Sequence, residues 1–495
     1  MISLGVDIGG TGAKCVAFSD DGAQRALSYI EYPNPPGKAN LEPQVLSDSV
    51  VRVIRQCVES LPDRREVAVI TVSSFGESFV PIDEHGAPLT DIIMYFANSE
   101  SGEFDELVRR VGEEEIMRIT RVLPDASYSL AKMLYTLRTA SRPVWKFLPI
   151  AAYVCYRLSG AVMTDVSLAC RTLLYDVQRG AWSEDLLAAS GVEAEQLPEV
   201  CPTGTAVGAL RPEVAQALGL GDGVRVVIGS HDQIVNALAC GVAQHGEGVN
   251  VSGTCECIEP LFAGIPADFD FTRENFACVP YVDGAGYVTY AYNISGGAVV
   301  RWFRDRLAAH LNAQARAERM SVYDLLNRAC PDEPTDLIVL PFLQGMGGTP
   351  DVRPDARGLV YGMTMDTGLP ELYRAVLEGL TCEMAYNLEK LEGFGVAPRR
   401  LYACGGGARS KVWLQIKADV WNREIIPVRT EETGALGSAI LGFAAVTGEK
   451  DRLALARQFV QLGETVRPDP ARVAIYRKKM AVYEKLRAFQ LESLL

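Results

Sequence analysis

The chain has 495 residues, 48% of them apolar and 22% charged, with a formal net charge of −14 at pH 7. This length allows two or three domains with ample core, and the acidic balance argues against nucleic acid or an anionic membrane as main partner, since both recruit a basic face. A phosphate-bearing ligand would have to find its positive field locally, in a few basic groups and a divalent cation. The twelve cysteines are scattered, with Cys255 and Cys257 the only close pair, and there are four histidines. With no second pair at metal-ligand spacing and no secretory segment, they read as reduced thiols of a cytoplasmic protein.

Residues 4–18, LGVDIGGTGAKCVAF, open the chain with a glycine-rich turn. The dinucleotide pattern G-x-G-x-x-G fails because Cys15 stands where its third glycine belongs, and no glycine precedes Lys14 as a Walker loop demands. What remains is an apolar strand (Leu4, Val6, Ile8), glycines around Thr11 and a second alternating stretch (Ala13, Cys15, Ala17), which predicts a hairpin. After the turn-rich YPNPPGK, Leu46, Val50, Val53, Ile54 and Cys57 fall at helical spacing, and EVAVITV (66–72) reads as a buried strand. Helix-rich stretches near 105–140 and 143–160 follow, then VRVVIGSHD as a strand ending in a loop with a His and an Asp. Residues 247–260, EGVNVSGTCECIEP, repeat the pattern of strand, Gly-Thr turn and strand, a weak echo of the opening that chance could also produce.

The second half closes with alternating helices and strands, which predicts an α/β fold. A helix over about 370–391 carries Leu372, Val376, Leu380, Met384 and Leu388 in one stripe and stops at Gly393 and Gly395. The strand RLYAC, the turn GGGARS, a helix with Trp413, Ile416 and Val420 inward, the strand EIIPV and a helix from Gly434 to Val446 complete the run. Three consecutive glycines suit a ligand that approaches the backbone, though a tight connection between strand and helix reads the same way. The soft apolar stretch GALGSAILGFAAV is too short and glycine-broken to span a bilayer.

Three of these segments together resemble the FGGY carbohydrate kinases of the actin-like ATPase superfamily. GLVYGMTMDTGLPELYRAVLEG (358–379) matches that family's C-terminal signature, CGGGARSKVWLQIKAD its adenosine motif, and GSHDQIVNALACG the segment holding its catalytic aspartate. The resemblance runs from residue 3 to about 448. It implies two actin-like (ribonuclease H-like) α/β domains with a catalytic cleft between them. An N-terminal domain over 1–244 would carry the sugar site and first phosphate hairpin, and a C-terminal domain over 245–495 the second hairpin and adenosine site. It further implies ATP and Mg²⁺, a small sugar or polyol as partner, and closure of the lobes on their ligands; it leaves the oligomeric state open, a homodimer included.

By position, Asp232 corresponds to the family's general base, and Asp7 to the carboxylate that holds the metal. Taken alone, Asp232 reads as an N-cap for the following helix. ATP binding falls to Gly10, Thr11 and Lys14 in the first hairpin, to Gly253 and Thr254 in the second, to Gly297 and Arg301 of ISGGAVVRWFRD, and to Gly406, Gly407 and Ser410 at the adenosine end. Arg301 suits a surface ion pair equally well. Glu77 of SSFGESF takes the substrate-binding place, with a solvated loop acid as the alternative; His231, Gln233 and Asn236 offer further polar groups, and His231 could equally be a satisfied core histidine. The family's Trp-x-Asp-x-Arg is here YFANS, so Tyr95 stands for the tryptophan while Ala97 and Ser99 carry no charge, and its Gly-Glu-Arg before Thr-Pro is GMGGTP. These departures leave the acceptor open among a ketopentose such as xylulose, expected first, and ribulose, gluconate or a glycerol- or erythritol-type polyol. A non-kinase actin-like ATPase is the remaining alternative.

Overall fold

The computed structural model of the chain describes residues 1–33, 40–97 and 102–493. Its first glycine-rich stretch is a hairpin in which β1 (Ile2–Ile8) and β2 (Gly12–Ser19) pair antiparallel, Asp7 opposite Lys14. The chain continues through β3 (Gln24–Glu31), α1 (Pro43–Glu59), β4 (Val67–Ser74), α2 (Ser129–Thr139), α3 (Ile150–Ser159), α4 (Val166–Cys170), β5 (Ala206–Ala209), β6 (Arg225–His231) and α5 (Asp232–Ala239). A second hairpin, β7 (Glu247–Ser252) and β8 (Glu256–Phe262), pairs antiparallel as the first does. It is followed by β9 (Ala291–Asn293), α6 (Gly297–Trp302), α7 (Val322–Ala329), α8 (Leu369–Gly393), β10 (Arg400–Cys404), α9 (Lys411–Trp421), β11 (Glu424–Pro427) and α10 (Thr433–Thr447). Of the turn-rich YPNPPGK, residues 34–38 lie outside the described residues, as does Ser99.

The sheets share one plan. In the first the strand order is β5-β6-β4-β1-β2-β3; in the second β8, β7, β10 and β11 run in that order and β9 pairs with β8. Each therefore has an antiparallel three-strand meander beside two parallel strands, β4 and β6 in one and β10 and β11 in the other. The echo between the two Gly-Thr turns is thus part of a repeated five-strand core, set in a sheet of six strands in one case and seven in the other.

Contacts gather the chain into two compact units. One comprises Met1–Ala243, Ala277–Tyr287 and Glu432–Val460; the other comprises Gln244–Phe276, Val288–Glu431 and the chain from Gln461 onward. A single cut after residue 244 thus gives way to interleaved segments. The reason lies in α10, whose small residues let its backbone press on the first sheet. A Cβ on Gly5 of β1 would lie 1.9 Å from the Ala435 carbonyl oxygen, and one on Gly437 would lie 2.1 Å from that of Val235. The run GALGSAILG is therefore a packing surface for β1 and α5. Among the described residues, no helix is long and apolar enough to cross a membrane.

In the first unit Leu4, Val6 and Ile8 of β1 meet Leu46, Val50, Val53 and Ile54 of α1 in one buried cluster. In the second, Val376, Leu377 and Leu380 of α8 pack with Trp413 and Ile416 of α9, while Val420 is only partly buried. Helix α8 departs from the single-stripe expectation, since Arg374, Glu378 and Glu383 are buried as well. Its charges are paired, Arg374 with Glu378 at 2.9 Å and Glu383 with Arg487 at 3.1 Å, which lets polar faces of a helix enter a core.

Candidate active site

The first hairpin places Asp7 at the end of β1, partly buried, and Lys14 across from it. Burial raises the Asp7 carboxyl above its ordinary pKa, and the Lys14 ammonium pulls the other way. Lys14 is itself ion-paired with Glu432, the residue before α10. The first turn of α10 passes against Asp7 so closely that a Cβ on Gly434 would lie 2.9 Å from Asp7 Oδ2. Beside it the Thr433 hydroxyl donates to Asn236 Oδ1 at 2.8 Å. Gly10 and the exposed Thr11 form the turn, closed by the Gly9 N–H donating to the Gly12 carbonyl at 2.9 Å. The Tyr95 ring lies 3.5 Å from where a Gly10 Cβ would stand, and its centroid is 5.6 Å from that of Phe75 and 5.0 Å from that of Phe96.

Strand β6 ends at His231, and Asp232 is the first residue of α5. The N-cap is His231, whose Nδ1 accepts the Gln233 N–H at 3.4 Å, so the capping role expected of Asp232 passes to its neighbour. Burial lowers the His231 pKa to about 4, which keeps the ring neutral at pH 7. Its Nδ1 and Asp232 Oδ1, 3.3 Å apart, are then two acceptors side by side and no ion pair. Neither Asp232 Oδ1 nor Gln233 Oε1 receives a hydrogen bond among the described residues. Burial first, then the charges of Asp7 and Glu77, push the Asp232 pKa up to about 7. The result is a carboxylate poised to take a proton near neutral pH.

Glu77 is no solvated loop acid. Its side chain is 12% exposed and ion-paired with Arg171, which is equally buried and follows α4. Its backbone sits in the left-handed region at φ 61°, a conformation that costs energy in a non-glycine residue and gathers at functional sites. Lys132 of α2 secures that conformation by donating to the Glu77 carbonyl at 3.1 Å and to the Tyr128 carbonyl at 3.3 Å. Burial works to raise the Glu77 pKa, but the surrounding cations, Arg171 foremost, override it and hold the carboxyl below its ordinary range. Lys132 falls to about 8 because burial outweighs the attraction of Glu77. Neither Arg171 nor Lys132 was expected from the sequence. Their signal is a lone cation inside an apolar run, LACRTLL and SLAKML, where a charge needs a buried partner.

In the second unit a cavity of about 600 Å³ is lined by Gly253, Thr254, Gly297, Arg301, Gly406, Gly407 and Ser410, all seven residues expected there to bind ATP. Ser252, Tyr323, Asn327, Tyr373 and Trp413 are among the other residues of its wall and were not anticipated. The Gly297 N–H donates to the Gly253 carbonyl at 3.0 Å, and a Cβ on Gly297 would lie 2.3 Å from that oxygen, so the hairpin turn and α6 meet backbone to backbone. Ser410 caps α9 by accepting the Trp413 N–H at 3.2 Å and donates to Asn327 Oδ1 at 3.0 Å. The triple glycine serves both readings. Gly405 takes φ 82°, a Cβ on Gly407 would stand 2.5 Å from Ser252 Cβ, and Gly406 and Gly407 still face the cavity.

Residues 2–239 match the model of the FGGY family of carbohydrate kinases, N-terminal domain, and residues 271–446 match its C-terminal domain. The chain belongs to the FGGY family of carbohydrate kinases. It is 26% identical to the gluconokinase of Bacillus licheniformis over 497 residues, covering 98% of this chain and 95% of that one. It is 24% identical to the xylulose kinase of Bacillus subtilis (strain 168), covering 98% and 96%. A ligand-bound xylulose kinase of Lactobacillus acidophilus superposes with a TM-score of 0.88 at 23% identity over 99% of each chain, which gives the FGGY kinase the two-domain actin-like fold. The FGGY kinase is thus an ATP-dependent kinase of a sugar or polyol, and the non-kinase ATPase alternative falls away.

Proposed function

We propose that this kinase phosphorylates a neutral polyhydroxylated acceptor, a ketopentose of the xylulose type first, with Asp232 as general base. The observation that carries this reading is the buried, donor-free Oδ1 of Asp232, with a pKa of about 7, in the same unit as the caged carboxylate of Glu77. The acceptor hydroxyl gives its proton to Asp232 as its oxygen bonds the γ-phosphorus of ATP; the bond from that phosphorus to the bridging oxygen breaks, and ADP leaves with the pair of electrons. A carboxylate suffices because phosphoryl transfer asks the protein mainly for position and charge neutralisation. Glu77, held ionised by Arg171, accepts a hydrogen bond from a second hydroxyl. Gln233 Oε1 is free to accept another, and the Tyr95 ring packs on the C–H face of the sugar.

In this reading the first unit takes the sugar and, through the N–H groups of Gly10 and Thr11 and the Lys14 ammonium, the outer phosphates. The second takes the nucleoside end in the cavity of Gly406, Gly407 and Ser410. A Mg²⁺ ion fits the donor chemistry of Asp7, since Asp7 and Asp232 are close enough for one charge to raise the other's pKa and a divalent cation would relieve that repulsion. Bound there, it would neutralise charge on the phosphates. Use of ATP and free sugar fits a cytoplasmic enzyme.

One observation favours a second acceptor class. Arg171 pairs with the Glu77 carboxylate and Lys132 donates to the Glu77 backbone carbonyl, and this local surplus of positive charge would suit a sugar acid such as gluconate. A panel of ketopentoses, aldonates and polyols, read by coupled ADP detection, tests both. Turnover of xylulose or ribulose above the rest supports the first reading, preference for gluconate supports the second, and turnover of glycerol alone refutes both.

A further inference from the structure

Directly behind the nucleotide cavity lies a charge pair that the reaction does not use. Lys417 of α9 and Glu256 of β8 are 0% and 1% exposed and meet at 2.6 Å. The lysine donates also to Asn250 Oδ1 at 2.7 Å and to Ser252 Oγ at 2.5 Å, so three acceptors take its three N–H groups. Asn250 returns a bond to Glu256 at 3.0 Å. The ammonium lies 4.2 Å from the ring centroid of Trp413 and 5.6 Å from that of Trp421, a cation held between two indoles. Desolvating two charges costs several kcal/mol, and apolar residues of like volume often serve stability as well. Stability alone therefore gives no reason for this pair.

Its contacts supply one. Ser252 and Trp413 both line the cavity, whereas Lys417 and Glu256 do not. They are also the surfaces on which the glycine turn rests, since a Cβ on Gly407 would meet Ser252 Cβ at 2.5 Å and the Trp413 ring at 2.8 Å. One lysine thus ties together the last residue of β7, before the Gly253-Thr254 turn, and the indole that opens α9.

We propose that the Lys417–Glu256 pair is a positioning device for the nucleotide cavity, fixing the second hairpin and Trp413 in the register that the nucleotide requires. Neither side chain touches the ligand. Displacement by a fraction of an ångström of a supporting shell is enough to loosen a site built on it. The inference rests on the cavity being the nucleotide site, and its test separates the two.

ADP binding is measured by titration calorimetry without sugar, so that no knowledge of the acceptor is needed. Lys417→Met alone strands a buried carboxylate and is prone to misfold, so the decisive variant is the double Lys417→Met/Glu256→Gln, with Asn250→Ala as a milder second. The expected result is an ADP Kd raised about tenfold in the double variant and about threefold in Asn250→Ala, with thermal midpoints close to wild type. Gly407→Val is the control and should abolish binding. If the control loses ADP while both pair variants keep wild-type affinity within twofold, the positioning role is refuted. If Gly407→Val binds ADP as wild type does, the cavity reading itself is refuted.

Discussion

Replacing Asp232 by Asn should make the protein more stable and inactive at once. Burial and the charges of Asp7 and Glu77 move this carboxyl from 3.8 to about 7. Between those values the unfolded chain releases the proton while the folded chain holds it. The fold therefore loses stability as pH rises and carries the whole cost above 7. A carboxyl moved that far costs about 4 kcal/mol at most. The side chain keeps 27% exposure, so solvent screening brings the expected figure to about 2 kcal/mol. Asparagine has no proton to lose, and urea unfolding at pH 8 should show the variant more stable by that amount. At pH 4.5 the folded chain holds the proton and the unfolded chain has only begun to gain from losing it, so the gap should shrink to about a quarter. Coupled ADP detection should find transfer abolished while ADP affinity is kept. Equal stability at pH 8, or a gap independent of pH, would refute the electrostatic argument; full turnover would refute the role of Asp232 as base.

The same carboxyl should set the acid limb of catalysis, so kcat/KM for the acceptor should rise through about pH 7, and a flat profile from pH 5.5 to 8.5 would count against it. Arg171→Met should raise the acceptor KM by about tenfold or more while leaving the KM for ATP within twofold, because it frees Glu77 from its cage without touching the second unit. Steady-state kinetics with each substrate varied in turn distinguishes this from general damage, which would move both constants. Gly437→Ala should lower the unfolding free energy by about 1–3 kcal/mol, since its Cβ lands 2.1 Å from the Val235 carbonyl oxygen; an unchanged urea midpoint would show that α10 does not press on α5.

Much of this fold is legible in the sequence because period and turn chemistry agree. Alternation in Leu4, Val6 and Ile8, glycines at the turn and helical spacing from Leu46 to Cys57 each specify one local structure, and they form as read. The path of α10 is not legible, because GALGSAILG announces only a soft helix. Its glycines matter through backbone atoms of β1 and α5 that lie far away in sequence. The site divides in the same way. Glycines and motif residues that line the cavity of the second unit stand in contiguous runs, so their grouping could be read from the sequence. Arg171 and Lys132 could not, since what assigns them is the burial of Glu77 and its left-handed backbone, neither of which a linear pattern carries.

The two sheets repeat one plan, yet their hairpins hold different groups behind the turn. Aligned on their Gly-Thr turns, DIGGTGAKC and NVSGTCEC set Asp7 against Asn250 and Ala13 against Glu256. In the first hairpin the carboxylate is left partly buried beside the bare first turn of α10, with its pKa raised, available to a cation. In the second, the corresponding amide and a glutamate on the facing strand are closed over a lysine whose every donor is used. A free carboxylate behind the second turn would repel phosphates, whereas Glu256 paired with Lys417 is charge-balanced and exerts a much weaker field. On the proposed reading, the asymmetry between the hairpins thus lies in what stands behind two similar glycine turns, and Asn250→Asp should weaken ADP binding, read by titration calorimetry, even where the fold tolerates it; wild-type affinity would refute this.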